Sequence, residues 1–520
     1  MWRRWLKSWR ACAMSASDHW HNRLSINNVG HRLLTMPLFV ALIPFIGGIL
    51  LAESILLPLW LTIAMSALFL GVAWLLRSHL SALIYGAAAM LFIGYTVVEC
   101  HNSAPSIPYE QDMEMVVRVE SPPAEREGYR VAEGRIVEWY DDSWHTSDER
   151  VQLWLRNDSI GVDDEVRLYG KVAKRMSRYD DYNELLRRRG LVGGVGISDY
   201  NTLCVEHSEA SSLQNRAIER LESYNGDKEA KATMVAMVAG SRHNITPQLR
   251  EDYSRTGLAH LMAVSGLHLG IVLVIINLLF APLSLIHHGH RLRVPLVLIA
   301  LWLYVVVSGA SPSVIRAAIM LSAVQIAWVS SSHYNSMNIL SLTVMAMLTY
   351  NPNYLYDISF QLSVTAVAGI LLWAVPLMRH LPTTGGISSY LLSSVVVGIV
   401  ATLWTMPLIS HTFGSIPIVG IILTPFAIIC AYIILSFGIL TLLLPAPLGM
   451  PFAYIAERAS LIQNRMVAHG ASWEFAAVDY TLGSEMVAIY YAIFMIITLA
   501  VWGYERKKVV TLQHNDTLGY

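Results

Sequence analysis

Apolar residues fall in long runs in two blocks of the chain, 36–100 and 256–504, with a period-2 alternation between them. The first block predicts helical spans at about 36–52, 55–76 and 80–98, each near the ~20 residues that cross a bilayer. The second predicts eight more, near 258–284, 293–308, 312–330, 336–350, 357–377, 388–410, 414–444 and 485–503. The stretch 414–444 is long for one crossing and is broken at Pro425, so it reads as a hairpin or a re-entrant segment. Between the blocks, residues 115–119, 129–137, 151–155 and 165–172 alternate apolar and polar, the signature of half-buried strands. Turn signals at Ser121-Pro-Pro123 and Asn157-Asp-Ser159 separate them. Short strands in that number predict a small barrel or sandwich. Residues 211–255 read as amphipathic helices flanking the membrane.

Composition sharpens this picture. Hydrophobic residues make up 54% of the 520 and charged residues 14%, against about 25% charged in soluble chains. The expected fold is a polytopic α-helical membrane protein of about 10–12 spans, with an extracytoplasmic small β-barrel domain inserted after the third. The expected boundaries are a basic cytoplasmic segment 1–35, three spans in 36–100, the β domain 101–210, a connector 211–255, a transmembrane domain 256–504 and a cytoplasmic tail 505–520. Arg3, Arg4, Lys7, Arg10, Arg23 and Arg32 precede the first span, and Glu505-Arg-Lys-Lys508 follows the last. Both ends are therefore expected in the cytoplasm, which requires an even number of crossings. Eleven segments are read, so one assignment is wrong, and 414–444 is the suspect.

Net charge is −1, so any nucleic-acid affinity must come from a local patch. The four cysteines Cys12, Cys100, Cys204 and Cys430 contain no CxxC pair, and neither a metal site nor a cofactor is expected. Cys100 and Cys204 bracket the β domain in a compartment that permits a disulfide between them.

Four polar clusters interrupt the apolar spans, where polar groups need partners or a wet cavity. The first runs from Gly257 through His260, Ser265 and Gly266 to His268 and predicts an interrupted helix lining a cavity. The plainer reading is close glycine packing with histidines bonded across an interface. The second holds Ser311, Pro312, Ser313 and Arg316: a capped helix start that suits an anion, or a helix whose Arg316 pairs with Asp357. The third is Asp357, Gln361 and Ser363, in which Asp357 also reads as a plain N-cap. The fourth is Thr402, Trp404, Thr405 and Pro407, leading to His411, a position where interfacial histidines are common.

In the β domain, Arg167, Lys171, Lys174, Arg175, Arg178, Arg187, Arg188 and Arg189 crowd one stretch, with Tyr169, Tyr179 and Tyr182 among them. Such a face can track phosphates and stack bases, or be a solvated helix face.

His260-Leu-Met-Ala-Val-Ser-Gly-Leu-His268, Gly309-Ala-Ser-Pro-Ser-Val-Ile-Arg-Ala317 and Phe360-Gln-Leu-Ser363 after Asn351-Pro352 stand in that order. In this the chain resembles the ComEC family of competence proteins over nearly its whole length after residue 35. The resemblance implies an inner-membrane channel for single-stranded DNA in natural transformation, with an OB-like domain meeting DNA first. It implies an extracytoplasmic DNA receptor upstream, and a cytoplasmic ATPase or helicase and single-strand-binding proteins downstream. Many family members continue into a metallo-β-lactamase-like domain. This sequence shows no HxHxDH-type cluster, and His287, His288 and His290 lack the aspartate. No enzymatic activity is therefore expected of it, and strand degradation is expected from a separate nuclease. No GxxxxGK[ST] loop supplies ATP hydrolysis. The competing readings are a transporter of another polyanion or small solute, and an intramembrane serine protease built on Ser265 with His260, His268 or His411 as base.

Overall fold

The computed structural model describes residues 36–517 apart from 77–80, 102–106, 122, 127, 157–159, 162–163, 178, 189, 207–212, 286–288, 330–334 and 381–385. The basic segment 1–35, Arg178, Arg189 and the Arg188 side chain lie outside the described residues.

Three apolar helices come first: α1 (Pro37–Ala52), α2 (Leu59–Leu75) and α3 (Ser81–His101). Helices α1 and α3 touch backbone to backbone. A Cβ on Gly48 would lie 1.9 Å from the Leu91 carbonyl oxygen, and one on Gly94 would lie 2.1 Å from that of Phe45. This is the close approach that small residues permit between apolar helices.

A sheet domain follows, with β1 (Asp112–Val119), β2 (Ala124–Arg126), β3 (Tyr129–Asp141), β4 (Ser143–Thr146), β5 (Arg150–Leu155), β6 (Glu165–Lys171), helix α4 (Asp180–Arg188), β7 (Leu191–Ile197) and β8 (Thr202–Glu206). The sheet runs β7-β5-β3-β1-β6-β8, with β2 and β4 paired to β3. All pairings are antiparallel except β5 with β7. Alternation places Met115, Val117, Leu153, Leu168 and Val195 in one buried core. The named strands do not close on themselves, but a single bridge joins Ala173, just past β6, to Gly194 of β7. No disulfide joins Cys100 to Cys204. Cys100 ends a membrane helix and lines a cleft with Thr96 and Thr349, whereas Cys204 faces Arg167 across β6 and β8. The expected disulfide is absent because the two thiols belong to different packing environments.

The second helical block contains α5 (Leu213–Glu222), α6 (Lys228–Ala239), α7 (Pro247–Arg255), α8 (Gly266–Leu279), α9 (Gly289–Val307), α10 (Pro312–Val329) and α11 (Ser336–Tyr350). Then come α12 (Ile358–Gly369), a π-helical turn Ile370–Ala374 and α13 (Val375–His380). The chain continues through α14 (Gly386–Phe413), β9 (Ser415–Pro417), α15 (Gly420–Leu443), α16 (Ala446–Ala471), β10 (Ala477–Asp479) and α17 (Ser484–Thr517). Among the described residues, five helices are long and apolar enough to cross a membrane: Ser81–His101, Ile358–Arg379, Gly386–Phe413, Gly420–Leu443 and Ser484–Val501. Six shorter apolar helices accompany them, and every apolar segment read from the sequence falls on one of these eleven.

Two readings need correction. The stretch 414–444 is neither hairpin nor re-entrant, because α15 runs unbroken through Pro425 after the short β9. Its antiparallel mate is α16, a 26-residue helix that the hydropathy pattern missed. The connector is also not amphipathic throughout. Residues 230 and 232–239 of α6 are buried on every face, against α15 and α16.

Candidate functional site

The first cluster breaks a helix, as expected. Helix α7 ends at Arg255, Gly257 takes φ +73°, and only the short turn Ala259–Leu261 intervenes before α8. Ser265 caps α8: its backbone N–H donates to His268 Nδ1 at 2.9 Å, while its hydroxyl faces the backbone of His268 in the reciprocal arrangement of a capping box. His268 is fully buried. His260 is exposed, with Nδ1 3.0 Å from the Gly257 carbonyl.

The second cluster meets the first directly. Pro312 opens α10, and the Ser313 hydroxyl donates to the Val264 carbonyl at 3.0 Å. A Cβ on Gly266 would sit 3.6 Å from that of Ala317. The Ser311 hydroxyl does not cap the helix, since it meets the Ser313 hydroxyl at 3.1 Å. The Ser311 carbonyl instead takes the Val314 and Ile315 N–H groups.

Arg316, one turn into α10, reaches the third cluster. Its Nε donates to Ser363 Oγ at 2.9 Å, and its guanidinium carbon stands 5.4 Å from the Phe360 ring centroid. No ion pair joins it to Asp357 among the described residues. Asp357 acts as the N-cap of α12, accepting from the Ser359 N–H at 2.7 Å. Gln361 turns back to donate to the Leu355 carbonyl at 2.8 Å. Three segments far apart in sequence are thus linked at the starts of α8, α10 and α12, where helix dipoles favour negative charge.

His411 is not part of this assembly. It is exposed and bonds the Leu482 carbonyl at 2.8 Å, beside Ser410, which donates to the Tyr480 carbonyl. These bonds hold the end of α14 to the segment before α17. Trp404 packs against Gly369 and edge-on to Trp373.

The sequence reading overlooked a buried polar network. Tyr253 donates its hydroxyl to Asn464 Oδ1 at 2.9 Å and accepts from Gln463 Nε2 at 3.0 Å, and Thr233 Oγ1 bonds the same Asn464 oxygen at 3.0 Å. Glu457 Oε1 accepts the Asp227 N–H at 2.8 Å. Glu457, Ser460, Gln463 and Asn464 recur at helical spacing on one face of α16, a stripe that could have marked the helix. Mean hydropathy hides it, because Arg458 and Arg465 lie in the same helix.

In the sheet domain, the basic stretch is largely matched by acids. Arg167 bonds Glu114 at 2.5 Å and stands 5.1 Å over the Trp144 ring; Lys171 pairs with Glu110 at 3.2 Å and Arg175 with Asp180 at 2.8 Å. The Lys174 N–H, and after it Lys171, hold the Glu110 carboxyl below its ordinary range, and Arg175 does so for Asp180. Arg187 bonds the Lys174 carbonyl. Tyr169, Tyr179 and Tyr182 are exposed.

A Ser–His contact also exists: Ser265 Oγ lies 3.2 Å from His268 Nδ1. That nitrogen already takes the Ser265 N–H, so the contact is explained by helix capping rather than by nucleophile activation.

The fold and site together define a helical membrane protein carrying a sheet domain and a junction of three helix starts. Residues 237–505 match the family described as Competence protein, which is more than half of the 520-residue chain. The chain belongs to this ComEC-type competence family. It is 26% identical over 280 residues to ComE operon protein 3 of Bacillus subtilis strain 168, covering 52% of this chain and 34% of that one. It is 29% identical over 236 residues to an uncharacterized protein of Aquifex aeolicus strain VF5, covering 45% and 53% respectively. Recombination protein 2 of Haemophilus influenzae is 28% identical over 186 residues, covering 34% and 23%. The matched regions thus span 23% to 53% of these relatives' lengths. No solved structure matches.

Proposed function

We propose that this protein conducts single-stranded DNA across the bacterial inner membrane during natural transformation. The observation that carries the proposal is the junction of α8, α10 and α12, which brings three separate motifs into direct contact inside an apolar bundle. Membership of the competence family supports a role in DNA uptake. In this reading both termini face the cytoplasm and the sheet domain lies outside.

The sheet domain acts as an OB-like module. The parallel pairing of β5 with β7 and the Ala173–Gly194 bridge support this, since they carry β1, β3, β5, β7 and β6 round one core. The basic stretch then falls between the fourth and fifth of these strands, one of the loops through which OB folds hold oligonucleotides. Helix α4 in that loop lies against residues 352–356, just ahead of Asp357, so the loop and the junction are neighbours. An extracytoplasmic receptor delivers DNA, and a cytoplasmic ATPase or helicase with single-strand-binding proteins draws the strand in. The described residues act as a conduit and carry out no catalytic step.

The test compares a clean deletion with a complemented strain, scoring transformants and labelled DNA. The expected deletion phenotype is transformation at background with DNA still held outside the cytoplasm. Undiminished transformation in the deletion would remove the proposal and favour a transporter of another polyanion or small solute.

A further inference from the structure

We propose that the outward face of β4, β3, β1 and β6 docks a basic polypeptide, one that presents arginine or lysine side chains to a row of aromatic rings edged by carboxylates. Register sets Trp144 of β4 beside Tyr140 of β3, Tyr140 beside Glu114 of β1, and Glu114 beside Tyr169 of β6. Opposed residues share a face, and this row alternates with Met113, Met115, Trp139 and Leu168 of the buried core. Trp144 and Tyr140 are each 42% exposed and Tyr169 55%. The Tyr140 and Trp144 rings stand 5.4 Å apart. Exposed aromatic area of this kind marks interaction sites.

The charges around the row select the partner. Among the described residues, Asp112, Glu138, Asp141 and Asp142 take part in no ion pair. Glu138 lies two residues before Tyr140 on β3, and Asp112 two before Glu114 on β1, so both edge the row. Asp141 and Asp142 turn the chain from β3 into β4 beside it. The cations next to the rings are spent, Arg167 on Glu114 and Lys171 on Glu110. Single-stranded DNA can stack on such rings, but here its phosphates would meet the unpaired carboxylates. The cations that would hold them lie further on, in the loop after β6. No group of three metal-ligating side chains gathers among the described residues.

The chain itself shows how such a cation is seated. The Arg167 guanidinium carbon stands 5.1 Å over the Trp144 ring while its Nε donates to Glu114 at 2.5 Å, so a ring and a carboxylate hold one arginine together. Tyr140 has Glu138 two residues away on its own strand. Tyr169 has Asp112 on the diagonal between β6 and β1. No cation of the described residues stands over either ring. The face thus repeats the setting that holds Arg167, with the cation left to a partner. Docking of this kind goes beyond the proposed conduit and holds whether or not the chain conducts DNA.

The full-length chain in neutral detergent is titrated into a fluorescein-labelled dodecapeptide of alternating arginine and glycine at fixed ionic strength, read by fluorescence anisotropy. Saturable binding is expected, weakened about fivefold or more in Tyr140→Ala/Tyr169→Ala and in Asp112→Asn/Glu138→Gln. It should be unchanged in Tyr129→Ala, an exposed ring at the far end of β3. The substituted side chains lie outside the buried core. Should a double variant still fail to fold, Tyr169→Ala serves, at the most exposed ring of the three. Absence of saturable binding overturns the proposal. So does binding that falls with the carboxylates but ignores the rings, which is charge attraction alone. A thymidine octanucleotide bound more weakly once Tyr140 and Tyr169 are lost would assign the face to bases and overturn it as well. None of these outcomes removes the conduit, and a deletion strain that still transforms leaves the peptide result standing.

Discussion

Single residues show best how far the sequence could be read. Arg316, Ser313 and Ser363 are legible as polar groups within apolar segments; Arg316 and Ser363 meet, while Ser313 bonds the Val264 carbonyl. Their partners are not legible: the sequence leaves Arg316 open between an anion and Asp357, and in the fold it bonds Ser363. Ser265 and His268 read either as cavity-lining residues or as part of a packed interface, and in the fold they form a capping box. The familiar pattern places Glu or Gln three residues after the cap, and a histidine in that place escapes it. Gly240 shows what backbone geometry adds. It ends α6 at φ +77°, and a Cβ there would lie 2.3 Å from the Ser308 carbonyl oxygen. Gly240→Ala should therefore destabilise the folded chain by more than the roughly 1–2 kcal/mol of left-handed strain alone. Gly270→Ala, with open space around it, should be neutral or stabilising by up to about 1 kcal/mol. Thermal unfolding in detergent measures both, and equal midpoints would contradict the contrast.

Among elements, long apolar runs were the legible class, because hydropathy averaged over about twenty residues registers apolar side chains whichever way they face. Helix α16 was invisible because its polar and charged residues pull that average down. It turns its polar stripe inward to Tyr253 and Thr233, and its charged residues lower the average. Helix α6 was misjudged because its apolar core is short and flanked by Lys228, Glu229 and Lys231. The network that ties α6, α7 and α16 depends on the Tyr253 hydroxyl, which serves Asn464 and Gln463 at once. Tyr253→Phe leaves both amides short of a partner and should destabilise the bundle by about 1–3 kcal/mol. Chemical unfolding of the detergent-solubilised chain checks this, and an unchanged midpoint would mean that the hydroxyl is dispensable.

At the scale of the whole molecule, composition separated the sheet domain from the helices but gave no account of charge pairing. In sequence the basic stretch reads either as a phosphate-tracking face or as a solvated helix face. In the fold, Glu110, Glu114 and Asp180 occupy three of its cations, because antiparallel register sets Glu114 beside its neighbours on β6. If the stretch meets DNA, those acids restrain it. The double variant Glu110→Gln/Asp180→Asn frees Lys171 and Arg175. It should bind single-stranded DNA several-fold more tightly at low salt and steepen the salt dependence by about 1.4, at about 0.7 for each of two added phosphate contacts. Fluorescence anisotropy of the full chain across a salt series reads this, and parallel salt slopes would show that DNA passes elsewhere.

The π-helical turn at Ile370–Ala374 has a bearing on the history of the chain. Such a turn holds one residue more than α-winding needs, and here it separates Ser363 from the aromatic packing of Trp373, Trp404 and Phe494. Deleting a residue from an ordinary helix turns everything beyond it by about 100° and pulls one packing face away from its neighbours. Deleting Leu371 or Leu372, just ahead of Trp373, would close the bulge and leave both faces where they are. Within this helix, Leu371 and Leu372 mark where one residue fewer would keep both the Arg316 anchor and the aromatic seam.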